Sequence, residues 1–296
     1  MKKFYRQLYR QRYLILMMLP GLLWFLIFKY CTYAGLGLAF TNYGFKKSVD
    51  FVGLRNFNRL FKSAQFWTAF KNTMIISICN IVFYFPFPII IALLINELRS
   101  LRTKRAVQFM IYIPYFFSWV VVGTIFVNIL SPSSGVVNQI LNALGQDSIY
   151  FMADPKWFRA VLIVSYIWRQ MGYGAVIYVA TLSTVDPQLY EAAAIDGCNK
   201  WQLFYKIILP IAKPAIATLF ITDFLSTWNE YLLASVIIND NAMKTVPVGI
   251  MTFVGEHGTD YGYLCAGVLV SVIPVMVVYL IFQRYFVEGM AGAVKS

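Results

Sequence analysis

Six stretches of the chain are apolar enough, and close enough to 20 residues long, to cross a ~30 Å hydrocarbon core. They begin near Tyr13, Asn72, Ala106, Arg159, Pro214 and Tyr263, and end near Phe28, Ile95, Leu130, Leu182, Ile238 and Phe282. Polar or basic segments separate them. The pattern predicts an all-α polytopic membrane protein with six transmembrane helices. Pro86 and Pro88 fall inside the second span and Pro114 inside the third. A membrane helix tolerates proline where neighbours satisfy the freed carbonyls, so these read as packing kinks before they read as functional ones. The segment after the first span, to about Ala69, reads as an ordered extracytoplasmic loop with a short helix.

The stretch from Asp186 to Pro210 breaks the apolar pattern. It is the long amphipathic segment with start and stop signals of its own. Asp186 suits an N-cap, with Pro187 at the first helical position. A short helix can run to about Asp196, where Gly197 supplies a left-handed turn. Asn199 and Gln202 then form a capping-box pattern. Trp201, Phe204, Tyr205 and Ile208 follow at i, i+3, i+4 and i+7, one face of a second helix that Pro210 closes. The segment reads as helix, glycine turn, helix, outside the bilayer.

Composition agrees with a membrane protein. Hydrophobic residues make up 59% of the 296 and charged ones 13%, against about 25% charge in soluble domains. Mean hydropathy is +0.64. The formal net charge is +12. In a soluble chain that excess would suggest nucleic acid. Here the basic residues lie between apolar runs, so membrane lipid is the expected contact and nucleic acid is not. With an even number of spans, 14 Lys and Arg fall on the side of the termini and ten on the other. Segments 1–12 and 97–105 are short and the most basic, which places both termini and the 186–210 loop in the cytoplasm. The domain division follows: 1–12 a basic cytoplasmic N-terminus, 13–285 the transmembrane domain, 286–296 a cytoplasmic tail. The basic start leads into a run too long for a signal peptide's apolar core and without a clear cleavage site. Cys31, Cys79, Cys198 and Cys265 are far apart, show no metal spacing and read as small buried side chains.

Arg169, Asp223 and Glu230 lie within spans. An ionisable group at membrane depth faces a partner or a watery cavity. Asp223 and Glu230 are seven apart, so on a continuous helix they share a face, and Arg169 could pair with either. One reading is a translocation pathway lined by these three and Asn229, with Trp228 as an aromatic platform for sugars. The other is a structural ion pair, or interface anchoring for Glu230. His257 has no carboxylate or hydroxyl constellation around it and is not expected to be catalytic. No phosphate-cradling Gly-x-x-x-x-Gly-Lys-Ser/Thr loop, zinc spacing or Ser-His-Asp pattern occurs. No enzymatic site, metal or cofactor is expected, and energy must come from a partner or a gradient.

Glu191-Ala192-Ala193-Ala194-Ile195-Asp196-Gly197, with Ile207-Ile208-Leu209-Pro210 at fixed distance, resembles the "EAA" loop of binding-protein-dependent ABC import permeases. The resemblance implies a type I importer fold in a bacterial inner membrane. It implies that Glu191, Ala192, Ala193, Asp196, Gly197, Leu209 and Pro210 belong to coupling helices docked in a cleft of a cytoplasmic ATPase dimer, which binds the ATP. It also implies a second permease subunit and an extracytoplasmic solute-binding protein.

The likeness is two-sided. The first two thirds, including Phe151-Met152-Ala153-Asp154-Pro155-Lys156-Trp157-Phe158-Arg159, is similar to the polysaccharide- and lipoprotein-associated branch of carbohydrate permeases. The last third is similar to the maltose- and glycerol-phosphate-type partner subunit. The residues that carry this are Trp228-Asn229-Glu230-Tyr231, Val246-Pro247-Val248-Gly249, Gly258-Thr259-Asp260-Tyr261-Gly262 and Gln283 to Lys295. Gly289 to Lys295 match a tail that reaches between ATPase subunits in that partner type. The two resemblances meet within or just after the amphipathic loop, which reads as a mosaic and leaves homo- and heterodimer open. The resulting expectation is a permease subunit of an ATP-driven sugar or oligosaccharide importer. A gradient-driven transporter or channel is the alternative. A membrane enzyme would need a convergent carboxylate or metal set that the sequence does not offer.

Overall fold

The computed structural model describes residues 10–44, 49–183, 188–189, 193, 195–238, 240–255 and 258–295. In chain order the helices are α1 (Arg12–Phe25), α2 (Arg55–Lys62), α3 (Ala64–Tyr84), α4 (Pro86–Glu97), α5 (Leu101–Tyr112), α6 (Trp119–Ile129), α7 (Val136–Ala143), α8 (Phe158–Ser183), α9 (Lys200–Leu203), α10 (Leu209–Trp228), α11 (Leu232–Ile237), α12 (Val246–Met251) and α13 (Tyr261–Lys295). A two-residue antiparallel hairpin, Val254–Gly255 with Gly258–Thr259, precedes α13. The chain divides into two compact units: Met1–Ser63 with Ile250–Ser271, and Ala64–Gly249 with Val272–Ser296.

In the first unit, α1 continues through a π turn (Leu26–Tyr30), a short helix (Cys31–Ala34) and a 3-10 turn (Gly35–Phe40). The apolar rod therefore runs Arg12–Phe40, past the expected end at Phe28. None of α1 is buried, as suits a helix whose solvent is lipid. The rod's end packs by Ala39 against Cys265 and Ala266. Asn56 sits on α2 and fixes that end, its Nδ2 donating to the carbonyls of Ala39 and Thr41, both at 2.8 Å. Arg59 pairs with Asp260 at 2.9 Å, and Asp260 Oδ1 accepts from the Tyr263 N–H to cap α13. Of the four cysteines expected to be buried, only Cys265 is; Cys79 and Cys198 are half-buried, and Cys31 is exposed because the lipid-facing rod gives it no protein to pack on.

In the second unit, α3 and α4 form the second span, hinged at Phe85 where Pro86 and Pro88 open α4. A core of Val122, Phe151, Met152, Phe158, Leu162, Leu233, Ile237 and Met243 ties α6, α8 and α11 to the loop before α8. Asn138 orders that loop by donating to the carbonyls of Leu130, Ser131 and Ile149 and accepting from the Ile149 N–H.

Among the described residues, four helices are long and apolar enough to cross a membrane, or five if a bent pair counts as one span. That pair is the expected third span. It is broken by 98° between Leu101–Phe116 and Trp119–Ile129. The expected fifth span is likewise not one helix: α10 ends at Trp228 and α11 begins at Leu232. The expected last span continues as backbone helix through the segment read as a tail, to Lys295.

Candidate functional site

The amphipathic loop is described in its second half. Asp186, Pro187, Glu191, Ala192 and Ala194 lie outside the described residues, as does His257. At the turn, Gly197 has φ +72° and the Cys198 N–H donates to the Ala193 carbonyl at 2.9 Å. That bond closes six residues around a left-handed position, the C-terminal helix stop for which glycine is the natural occupant. Asn199 and Gln202 then exchange both bonds of a capping box. The Gln202 N–H donates to Asn199 Oδ1 at 2.8 Å, and the Asn199 N–H donates to Gln202 Oε1 at 3.0 Å. Ala193 is buried, whereas Ile195, beside the turn, is 86% exposed.

Beyond the box the chain departs from expectation. Residues Phe204–Ile208 form a π turn, after which α10 starts at Leu209. Pro210 therefore does not close the second helix. It sits just past the π turn, inside a helix that runs on without a break from Lys200 to Trp228. The π turn also breaks the expected apolar face: Ile208 is buried while Tyr205 is 60% exposed. The side chains of Trp201 and Phe204 lie outside the described residues.

The intramembrane charges sit at two helix breaks. The third span is opened by Pro114 in the 3-10 turn Ile113–Phe116 and restarted by Ser118, whose Oγ accepts from the Val121 N–H at 3.2 Å. The carbonyl of Phe117, freed by this break, accepts from Arg169 Nε on α8 at 2.8 Å. The guanidinium carbon lies 4.2 Å from the Trp119 ring centroid and 5.2 Å from that of Tyr115. Tyr115 in turn stacks on Tyr173, with centroids 4.7 Å apart and planes 9° apart. Gly172 lets α8 approach this break: a Cβ there would stand 2.4 Å from the Ile111 carbonyl oxygen.

Asp223 and Glu230 do not share a helix face, because α10 ends at Trp228. Asp223 Oδ1 accepts from the Tyr166 hydroxyl at 3.1 Å. Glu230 instead caps α11, its two oxygens accepting from the N–H groups of Leu233 at 2.6 Å and Ala234 at 2.9 Å. Neither carboxylate lies within ion-pair distance of Arg169. Trp228 is 1% exposed, stacked on Phe224 and edge-on to Phe70, so in this conformation its ring faces are taken by protein. Asn229 is exposed and donates back to the Leu225 carbonyl at 2.9 Å.

The aromatic set around Arg169 was not singled out by sequence reasoning. Its signal was present in Pro114 followed by Ser118 directly before an apolar run, a stop followed by a start inside one expected span.

Comparison with known proteins gives one direction. The model of the family described as "Binding-protein-dependent transport system inner membrane component" matches residues 89–291. The chain is 33% identical over 292 residues to Protein LplB of Bacillus subtilis (strain 168), covering 95% of this chain and 92% of that one. It is 40% identical over 224 residues to the polygalacturonan/rhamnogalacturonan transport system permease protein YteP of the same organism, covering 74% and 70%. It also superposes on a chain of a bacterial alginate ABC transporter, crystallised in complex with an alginate pentasaccharide-bound periplasmic protein. There the TM-score is 0.85 at 34% identity, over 95% of this chain and 96% of that one. LplB and the alginate transporter chain each run through nearly the whole sequence. With several apolar helices in the structure and more than half of its length matched by the family model, the chain is a multi-pass membrane protein and belongs to the family of binding-protein-dependent transport system inner membrane components.

Proposed function

We propose that this chain is a permease subunit of an ATP-driven carbohydrate importer in a bacterial inner membrane. It forms part of the translocation pathway and couples to a separate cytoplasmic ATPase dimer. A second permease subunit completes the pathway, and an extracytoplasmic solute-binding protein delivers the substrate. Both termini and the 186–210 loop face the cytoplasm, which the density of Lys and Arg in 1–12 and 97–105 supports.

The observation that carries the reading is the stopped helix, glycine turn and capping box over Ala193–Gln202, with Ile195 exposed beside the turn. Two caps back to back make a rigid corner that a partner can push on without the turn unwinding. Glu191, Ala192, Ala193, Asp196, Gly197, Leu209 and Pro210 form this coupling element. The carbohydrate substrates named for YteP and the alginate transporter support the substrate class. Arg169 and Asn229 line the pathway. Asp223, Trp228 and Glu230 shape its wall through their internal contacts.

A gradient-driven transporter would move protons or ions through linked charges, and Arg169, Asp223 and Glu230 are each bound to something other than one another. Gly197→Pro tests the coupling role. Proline cannot adopt φ +72°. Uptake into proteoliposomes holding the full transporter is expected to be lost, with membrane insertion intact. Uptake that survives with normal ATPase coupling, or that proceeds without any ATPase, refutes the reading.

A further inference from the structure

We propose that Arg169 and the rings beside it form a binding site for the carboxylate of an acidic sugar unit, so that the substrate class is uronate-containing oligosaccharides. This rests on the carbohydrate-importer reading above.

Arg169 stands near the middle of α8, about 16 Å from its start and about 21 Å from its end at 1.5 Å per residue. That depth is out of reach of lipid headgroups at either surface. A guanidinium there must face a cavity, a counter-ion or a ligand rather than acyl chains. No carboxylate among the described residues is within ion-pair distance of it. Asp223 is engaged by Tyr166, and Glu230 spends both oxygens on α11. Of its five N–H donors, Nε is bound to the Phe117 carbonyl and Nη1 has one contact with Gln170 Oε1 at 3.4 Å. The remaining donors have no protein partner among the described residues. The charge is held in place on one edge and open on the other.

An open guanidinium edge matches a carboxylate, two parallel donors to two oxygens. The adjacent rings supply the other half of an acidic sugar. Tyr115 and Tyr173 present an ordered stacked pair, and Tyr173 is 43% exposed. An aromatic face of this kind takes the apolar face of a pyranose ring. The cation–π contacts to Trp119 and Tyr115 hold the guanidinium plane without neutralising it.

The test uses the full transporter in proteoliposomes, with ATP-driven uptake of an oligogalacturonate, an oligomannuronate and the carboxyl-reduced neutral counterpart of each. The expected wild-type result is preference for at least one acidic probe over its neutral counterpart. Arg169→Gln is expected to raise KM for that probe about tenfold more than it raises KM for its neutral counterpart, the scale of a lost charge-assisted bond, while any general loss from the weakened helix break falls on both probes alike. Arg169→Lys keeps the charge without the fork and is expected to raise it less, with the same selectivity. If Arg169→Gln does not assemble, Arg169→Lys alone decides: an equal shift for acidic and neutral probes, or none, overturns the site. Wild-type uptake of neutral oligosaccharides with neither acidic probe preferred overturns it too. Uptake of no oligosaccharide of either kind refutes the importer reading itself and with it this site.

Discussion

Asn199→Ala isolates the capping box that restarts the chain after Gly197. The substitution removes the acceptor of the Gln202 N–H at 2.8 Å and leaves the reciprocal bond, Asn199 N–H to Gln202 Oε1 at 3.0 Å, able to form. Loss of an asparagine cap costs about 1 kcal/mol. At that size the ratio of formed to frayed helix falls about fivefold. The effect falls on the first turn of this helix, Lys200–Leu203, which precedes the π turn. Backbone amide exchange across 200–205 in the assembled transporter should therefore quicken about fivefold. ATP-driven uptake should fall while basal ATPase activity holds, since the ATPase carries its own site. Asn199→Asp keeps the acceptor and adds a negative charge at a helix N-terminus, so it should match the wild type. Gln202→Ala removes one bond and should cost about 0.5–1 kcal/mol. If the two bonds act as a unit, the double variant loses less than the sum of the singles. Unchanged exchange in Asn199→Ala, or equal harm from Asn199→Asp, would refute this account of the corner.

Two further substitutions probe the helix breaks. Gly172→Ala places a methyl 2.4 Å from the backbone oxygen of Ile111, so α8 or the end of α5 must shift. A cost of about 1–3 kcal/mol is expected, read as a lower thermal midpoint in detergent, and an unchanged midpoint would mean that the two helices are not held this close. Glu230→Ala strips the acceptors from the N–H groups of Leu233 and Ala234 and should cost about 1–3 kcal/mol, whereas Glu230→Gln keeps one oxygen and should cost less. Equal losses would show that the charge matters and the cap does not.

What could be read from the sequence was what local chemistry decides. The apolar runs marked the helices. Gly197 and the Asn199–Gln202 pair marked the corner, with both bonds of the box in place. What could not be read depended on residues far away along the chain. Pro114 indicated a kink, but the 98° break is held by Arg169, 52 residues beyond the carbonyl it binds. The end of α10 was hidden because Asn229-Glu230-Tyr231 contains neither glycine nor proline, so a periodic face was extended through a helix that stops. Pro210 misled in the opposite sense. It reads as a stop, and the helix runs on through it after the π turn Phe204–Ile208.

The two breaks share one arrangement, a charged side chain supplying the backbone partner that the break removed, but they leave different remainders. Glu230 uses both oxygens on amide groups, and nothing is left over. Arg169 binds its carbonyl through one nitrogen and rests between two rings. An arginine at helix centre costs about 2.5–3.5 kcal/mol on insertion scales. A charge-assisted bond contributes about 1.5–3 kcal/mol and a desolvated cation–π contact about 2 kcal/mol. These offset the cost without a carboxylate among the described residues at ion-pair distance. Arg169 can therefore stay charged at mid-helix in the unliganded protein, and an incoming anion displaces no carboxylate to reach it. A paired arginine would have to exchange one carboxylate for another, with little net gain. It is the structural role of Arg169 at the break that keeps its free edge open for binding.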